Sequence, residues 1–197
     1  MTPDLRSRLL GAAIVIAAVA TLSAAASAAD VVQLDEARSS GRFTVRMMWL
    51  VGISGRFGRV DGEVRSDRFR DQFSVDAHVD AAGVSMGSHR IEEWVKSAEF
   101  FDADRHPRIG FSSEAIPRQR LQNGGDLPGW LTIRGIRRPV VFQLQPATCG
   151  HPGHDCPIVV TGTIRRTEFG MHSRRGSLAD KVQLDFSIYA EPAATAP

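Results

Sequence analysis

The feature that most constrains the fold is an alternation of apolar and polar side chains that recurs along the sequence. Successive side chains of a strand point to opposite faces, so a strand with one buried face is apolar at every second position. Six segments show this alternation, at 43–51, 73–80, 109–113, 131–133, 140–144 and 182–190. Turn signals separate them, among them Asp61-Gly62, Arg134-Gly135 and Pro152-Gly153. The pattern predicts a mostly antiparallel all-β domain.

One segment has a helical period instead. Ile91, Trp94 and Val95 are spaced for one helix face, and two glutamates stand in the first turn, where the helix dipole favours acids. We predict a short helix from about His89 to Lys96 that packs on one end of a closed or nearly closed sheet. Closure also removes the edges that an all-β domain otherwise exposes.

The interior of such a barrel has two interpretations. A barrel of about eight strands is either filled by its own side chains or able to hold one small ligand. Alternation alone favours the packed core. The residues at the inward positions are rich in Phe, Val, Ile and Leu, so any ligand would be apolar.

The N-terminal segment predicts export. Arg6 and Arg8 precede an apolar run at 9–22, and small residues follow at 24–29. The run is shorter than the roughly 20 residues of a membrane-spanning helix. We expect a signal peptide at 1–29, a single domain at 30–191 and a flexible tail at 192–197. The expected location is the periplasm, where two cysteines can form a disulfide.

The charge balance excludes one class of partner. The 197 residues include 24 Lys and Arg against 22 Asp and Glu, a net charge of +2. This excess is too small to drive nucleic-acid binding through counterion release, and no stable membrane insertion is expected. The residues do not decide between a monomer and a homodimer.

Several motifs together resemble the YceI-like family of secreted lipid-binding domains. They are SAEFFDADRHPRIGFSS at 97–113, LPGWLTIRGIRRPVVFQL at 127–144 and IRRTEFGM at 164–171, in the family's order. The resemblance covers about 31–190. It implies a lipocalin-like antiparallel barrel that holds a polyisoprenoid or quinone-like lipid, performs no chemistry and requires no cofactor.

The resemblance turns the inward positions into candidate ligand contacts, because an isoprenoid tail needs apolar walls. The predicted tunnel lining is Phe43, Val45, Phe73, Val75, Phe111, Phe142, Leu144, Phe186 and Ile188.

The sequence departs from the family pattern in two places. Met47 stands where many members have a histidine, and Arg90 and Glu92 stand where members often have Arg-Asp. We expect Arg90 and Glu92 to cap a polar head group at the mouth of the barrel. The alternative is a solvated helix face.

The segment CGHPGHDC at 149–156 offers a second chemistry. It is symmetric about Pro152-Gly153, so a tight hairpin would put both cysteines and both histidines on one face. We predict a disulfide between Cys149 and Cys156. A tetrahedral zinc site formed by these cysteines with His151 and His154 is the alternative.

The leading hypothesis is therefore a non-enzymatic, exported carrier of an amphiphilic lipid. A metal-binding domain that uses the Cys/His segment is the second hypothesis. We expect no enzymatic activity, because the sequence has no nucleophile elbow, no His-Glu-x-x-His motif, no phosphate-binding glycine loop and no Cys-x-x-Cys motif.

Overall fold

The computed structural model describes residues 30–48 and 50–192. The predicted signal peptide, all of the predicted tail except Pro192, and Trp49 lie outside these residues. The strands are β1 (Asp30–Gln33), β2 (Ser40–Met47), β3 (Val51–Arg56), β4 (Val60–Asp67), β5 (Gln72–Asp80), β6 (Ser85–Met86), β7 (Arg108–Ser113), β8 (Ile116–Pro117), β9 (Gly125–Ile133), β10 (Ile136–Leu144), β11 (Ile158–Arg165) and β12 (Leu178–Ile188). The helices are α1 (His89–Lys96), α2 (Arg120–Asn123) and a 3₁₀ helix (Arg166–Phe169).

All twelve described strands belong to one antiparallel sheet. Their spatial order is β1-β4-β5-β7-β9-β10-β11-β12-β2-β3-β6, and β8 pairs with β5. The sheet curls, and a bridge between Leu34 and Ala190 links the segment after β1 to the segment after β12. The all-β prediction is confirmed. The predicted number of about eight strands is too low, because short strands such as β6 and β8 show no readable alternation.

The first predicted strand is in fact a hairpin. The chain turns between Met47 and Val51, and the Leu50 amide donates to the Met47 carbonyl oxygen at 3.1 Å. The sequence between the two strands is apolar throughout, so no glycine or proline marks the turn. Conversely, Asp61-Gly62 is not a turn but lies inside β4. A Cβ on Gly62 would stand 2.2 Å from the Asp76 carbonyl oxygen, so this glycine allows close approach of β5.

The helix α1 has the predicted bounds, His89–Lys96. Val95 on its apolar face is buried, and Ile91 and Trp94 pack against the core. Among the described residues, no helix is long and apolar enough to cross a membrane.

Chain direction gives the curled sheet two distinct ends. The strand β9 begins directly after α2, and β11 begins directly after the segment 149–156, so these two segments lie at one end, named here the disulfide end. The strand β11 finishes at the 3₁₀ helix, which marks the opposite end. Phe100, which follows α1 in the chain, has its ring centroid 6.0 Å from the Arg166 guanidinium carbon. We therefore name the end at the 3₁₀ helix the α1 end.

Candidate ligand cavity

A cavity of about 570 Å³ runs through the interior of the curled sheet. Its lining extends from Trp94 and Met171 at the α1 end to Leu121 and Pro152 at the disulfide end. Most of the lining side chains are aliphatic or aromatic. The volume lies within the range of about 300–1,000 Å³ that is typical of small-molecule sites. The structure therefore provides an apolar ligand cavity in place of a completely packed core.

The predicted tunnel residues share one location. All nine line the cavity: Phe43, Val45, Phe73, Val75, Phe111, Phe142, Leu144, Phe186 and Ile188. Five of the β-strands, β2, β5, β7, β10 and β12, supply them. Their contact with a ligand stays a prediction.

Aromatic rings form a continuous band around the cavity. Phe111 and Phe142 have centroids 4.9 Å apart, and Phe142 lies 6.4 Å from Phe186. The band continues through Phe57, at 6.1 Å from Phe186, to Phe43 at 5.0 Å. Such pairs contribute about 0.5–1.5 kcal/mol each beyond the burial of their area. The rings therefore stiffen the wall that a ligand would contact.

Glycines on adjacent strands make room for these rings. Phe43 is the register partner of Gly55, and Phe186 is the register partner of Gly41. A Cβ on Gly162 would come within 2.1 Å of Phe142 Cδ1. Each ring lies across a glycine of a neighbouring strand, which lets it rest against the wall instead of projecting into the cavity.

We expect Gly162→Ala to reduce ligand capacity, because the new methyl group must push the Phe142 ring towards the cavity. Overpacking of this kind typically costs about 1–3 kcal/mol of the free energy of unfolding. Denaturant unfolding and the quantity of extracted ligand per mole of protein check both effects. The control is Gly176→Ala, since a Cβ there meets no atom within 4 Å. Equal behaviour of the two variants would contradict this account of the wall.

Neither predicted head-group residue lines the cavity. Arg90 is exposed, and the Glu92 carboxylate accepts a hydrogen bond from the Met86 amide at 2.7 Å, which fastens α1 to β6. Ile91, which stands between them, contributes to the lining. The structure thus gives Glu92 a structural contact and leaves Arg90 on the solvated face of α1.

The most unusual lining residue is Arg166, whose exposed fraction is 2%. Its guanidinium donates to three carbonyl oxygens, those of Ala179 at 3.0 Å, Met171 at 2.6 Å and Leu178 at 3.1 Å. Desolvation by burial lowers its pKa, and the negative charge of Asp180 opposes that shift. These donors hold the 3₁₀ helix and the start of β12 together, so Arg166 acts as an internal brace.

Asp180 supplies the compensating charge nearby. Partial burial alone would raise its pKa, but hydrogen bonds from Thr167 and the positive charges of Arg166 and Arg165 lower it overall. The Thr167 amide donates to Asp180 Oδ1 at 3.1 Å. The carboxylate is therefore stabilised as an anion beside the buried guanidinium.

The Cys/His segment contains the predicted disulfide but not the predicted hairpin. Cys149 and Cys156 are bonded, with their Cα atoms 6.1 Å apart. The amides of His154 and Asp155 both donate to the His151 carbonyl oxygen, at 3.1 and 3.0 Å, so the chain forms a compact turn. An L-proline at the first central position of a Pro-Gly turn favours a type II turn, whose twist suits a two-residue hairpin poorly.

The disulfide loop, residues 149–156, lines the disulfide end of the cavity. Its Gly150 carbonyl oxygen accepts from Gln122 Nε2 of α2 at 2.8 Å. The Gly153 carbonyl oxygen accepts from the Ala190 amide at 2.8 Å. His151 and His154 take part in the lining. The loop is thereby fixed to two segments of the cavity wall.

Replacement of both cysteines by serine is expected to lower the free energy of unfolding by ~2.5 kcal/mol, the chain-entropy contribution of an eight-residue loop. Thermal unfolding of the variant and of the native protein measures the loss. Thiol counting on denatured, unreduced protein should find no free thiol. Two free thiols would contradict the assigned bond.

The zinc interpretation of this segment is not supported. Both sulfur atoms are used in the disulfide, so they are not available as thiolates, and His151 Nδ1 instead contacts Asp155 Oδ2 at 2.9 Å. Within residues 30–48 and 50–192 there is no group of three or more His, Cys, Asp or Glu side chains arranged to hold a metal ion.

Sequence patterns missed several lining residues. Phe57 and Phe101 lie outside the strands and so follow no alternation, although their ring centroids are 6.0 Å apart beside the cavity. The alternation could have identified Arg166, because it continues the every-second-position pattern of Val160 and Ile164. All three residues line the cavity.

Comparison with known proteins gives a consistent family match. The YceI-like domain model matches residues 32–190. A UPF0312 protein of Vibrio cholerae is 30% identical over 136 residues, which cover 68% of this chain and 71% of that one. A UPF0312 protein of Staphylococcus aureus is 24% identical over 167 residues, covering 81% and 93% of the two chains.

Solved structures share the fold. Burkholderia cenocepacia BcnA superposes with a TM-score of 0.66 at 24% identity, covering 79% of this chain and 98% of BcnA. A polyisoprenoid binding domain from Saccharophagus degradans, implicated in plant cell wall breakdown, gives a TM-score of 0.62 at 13% identity and covers 83% and 98%. The Campylobacter jejuni YceI protein gives 0.58 at 19% identity, with 75% and 90% covered.

Proposed function

The chain belongs to the YceI-like family, and on this premise we propose that it is a non-enzymatic carrier that binds a long-chain polyisoprenoid or quinone-like lipid. The observation that carries the proposal is the apolar cavity of about 570 Å³ with its band of phenylalanine rings. The structural neighbour from Saccharophagus degradans, described as a polyisoprenoid binding domain, supports the same ligand class.

The energetics favour a long apolar tail. Each buried CH₂ group contributes about 0.8 kcal/mol, so each five-carbon isoprene unit gains about 4 kcal/mol before the cost of association is subtracted. A tail of several units can therefore be held without any polar contact. This agrees with a lining in which Arg166 already donates to three carbonyl oxygens of its own chain.

A carrier of this kind needs no cofactor and returns its ligand unchanged. We propose an amphiphilic lipid as the partner, with no nucleic acid and no stable membrane insertion. The ligand recovered from the protein should therefore have the same mass as the ligand added. A converted product would support an enzyme instead.

Export is part of the proposal and depends on residues 1–29. The sequence there has the charged, apolar and small-residue regions of a signal peptide, and the proposed destination is the periplasm. We expect N-terminal sequencing of exported protein to begin at Ala29 or Asp30. Recovery of protein that still carries Met1 would contradict export by cleavage.

Ligand entry can be followed through Trp94, which lines the cavity. We expect a long-chain quinone added to delipidated protein to quench tryptophan fluorescence saturably. A Trp94→Phe variant should lose most of this quenching, whereas Trp130→Phe should keep it, because Trp130 lies outside the lining. Equal quenching in the two variants would place the quinone elsewhere.

A further inference from the structure

Among the described residues of the β2–β3 turn and the start of β3, three apolar side chains are exposed, and we name them the apolar tip. Met48, Leu50 and Val51 have exposed fractions of 65%, 89% and 60%. Grouped exposed apolar side chains typically mark a surface that contacts a partner or a membrane. Nothing in the proposed cavity function uses these residues.

Backbone hydrogen bonds hold the apolar tip in place. The Met48 amide donates to the Ser177 carbonyl oxygen at 2.8 Å, and Met47 is the register partner of Leu178. The tip is therefore fixed beside the segment 172–177, which we name the basic loop.

The surroundings of the tip are positively charged. Arg174 and Arg175 lie in the basic loop, and Arg46 lies on β2 beside the tip; all three are exposed. In the described part of the chain, none of the three has a carboxylate oxygen within 4.0 Å. Residues 165–181 as a whole contain five basic and two acidic side chains. The tip therefore combines apolar exposure with uncompensated positive charge.

An exposed aromatic residue elsewhere on the surface differs from the tip in its charge surroundings. Phe69 has an exposed fraction of 88%, and arginines flank it on both sides. Those arginines are neutralised, however: Arg68 forms an ion pair with Asp30, and Arg70 lies 3.5 Å from Asp67 Oδ2. Phe69 thus provides an internal comparison, equally exposed but without free positive charge.

We propose that the apolar tip and its arginines dock the protein on the surface of an anionic lipid bilayer. The apolar layer of a bilayer interface can take up the side chains of the tip, and its anionic head groups can attract the arginines. Binding of this kind is peripheral and reversible. The inference extends the proposed carrier function, because a lipid carrier must exchange its ligand with a membrane.

The docked orientation brings the cavity wall close to the bilayer. The Arg174 guanidinium carbon lies 5.4 Å from the ring centroid of Trp94, and Trp94 lines the cavity. The basic loop therefore connects the docking surface to α1. Docking through the tip points the α1 end at the membrane, which makes this end the route of lipid exchange.

The test is cosedimentation of the full protein with vesicles of phosphatidylglycerol and phosphatidylcholine, compared with vesicles of phosphatidylcholine alone. We expect binding to the anionic vesicles that weakens as salt is raised. Leu50→Glu should reduce the partition coefficient about tenfold or more, since it removes an inserted side chain and adds a repelled charge. The double variant Arg46→Glu/Arg175→Glu should reduce the partition coefficient similarly. It leaves the contact between Arg174 and the Trp94 ring in place.

The matched control is Phe69→Glu, which makes the same kind of change at an equally exposed site and should bind as the native protein does. All variants alter exposed side chains, and circular dichroism with thermal unfolding verifies their fold. Equal binding to neutral and anionic vesicles, unchanged binding of Leu50→Glu, or an equal loss with Phe69→Glu would each overturn the docking surface. Lipid extraction from the same preparations reports separately on the cavity, so failure of docking and failure of the carrier function remain distinguishable.

Discussion

Val75→Trp is expected to remove most of the lipid that copurifies with the protein while leaving the fold intact. Val75 lies on β5 and lines the cavity, so a larger ring at this position occupies space that the ligand would fill. Displacement of only two methylene groups costs about 1.6 kcal/mol, which corresponds to roughly a tenfold or greater loss of affinity. Organic extraction and mass spectrometry quantify ligand per mole of protein.

The control for this variant places the same side chain outside the cavity. Val141 on β10 has an exposed fraction of 54% and is not part of the lining. Val141→Trp should therefore leave the extracted lipid unchanged. If Val75→Trp retained native lipid levels with a native circular dichroism spectrum, the assigned wall would be wrong.

Arg166→Met is expected to lower the free energy of unfolding by about 3–5 kcal/mol, the usual cost of removing one partner from a buried charged network. The change leaves three carbonyl oxygens, of Ala179, Met171 and Leu178, without their donor. Urea unfolding measures the loss. The free energy of unfolding of Arg166→Lys should lie between those of the native protein and Arg166→Met. One ammonium group keeps the charge but cannot reach all three oxygens.

The adjacent arginine gives the matched control. Arg165 is exposed, and Arg165→Met removes the same charge one residue earlier in the chain. Its expected effect is within about 0.5 kcal/mol. Similar losses of unfolding free energy in Arg166→Met and Arg165→Met would show that the number of positive charges determines stability here. The hydrogen bonds of the buried Arg166 guanidinium would then not be the cause.

The fold was predictable where alternation and burial coincide. Strands β5 and β12 alternate cleanly because one face packs on the interior, and α1 has its predicted bounds because its period differs from that of its neighbours. The β2–β3 turn was not predictable. The sequence between the two strands is apolar, and an apolar turn without glycine or proline has the same pattern as a continuing strand.

The candidate site was predictable to the same degree. Parity placed nine side chains on the inner face, and all nine line the cavity. Parity could not place Phe57 and Phe101, whose positions depend on loop paths between strands. For the Cys/His segment, the local symmetry suggested a hairpin, whereas the hydrogen bonds to the His151 carbonyl oxygen form a compact turn. The cysteine pairing was still correct, because the two residues are close in either geometry.

The central claim is that the cavity holds a long apolar lipid, and the most direct measurement is mass spectrometry of an organic extract of natively purified protein. We predict an approximately stoichiometric isoprenoid or quinone-like species that is depleted in Val75→Trp and retained in Val141→Trp. An extract with no apolar species, from protein that also fails to take up added quinone after delipidation, would contradict the claim.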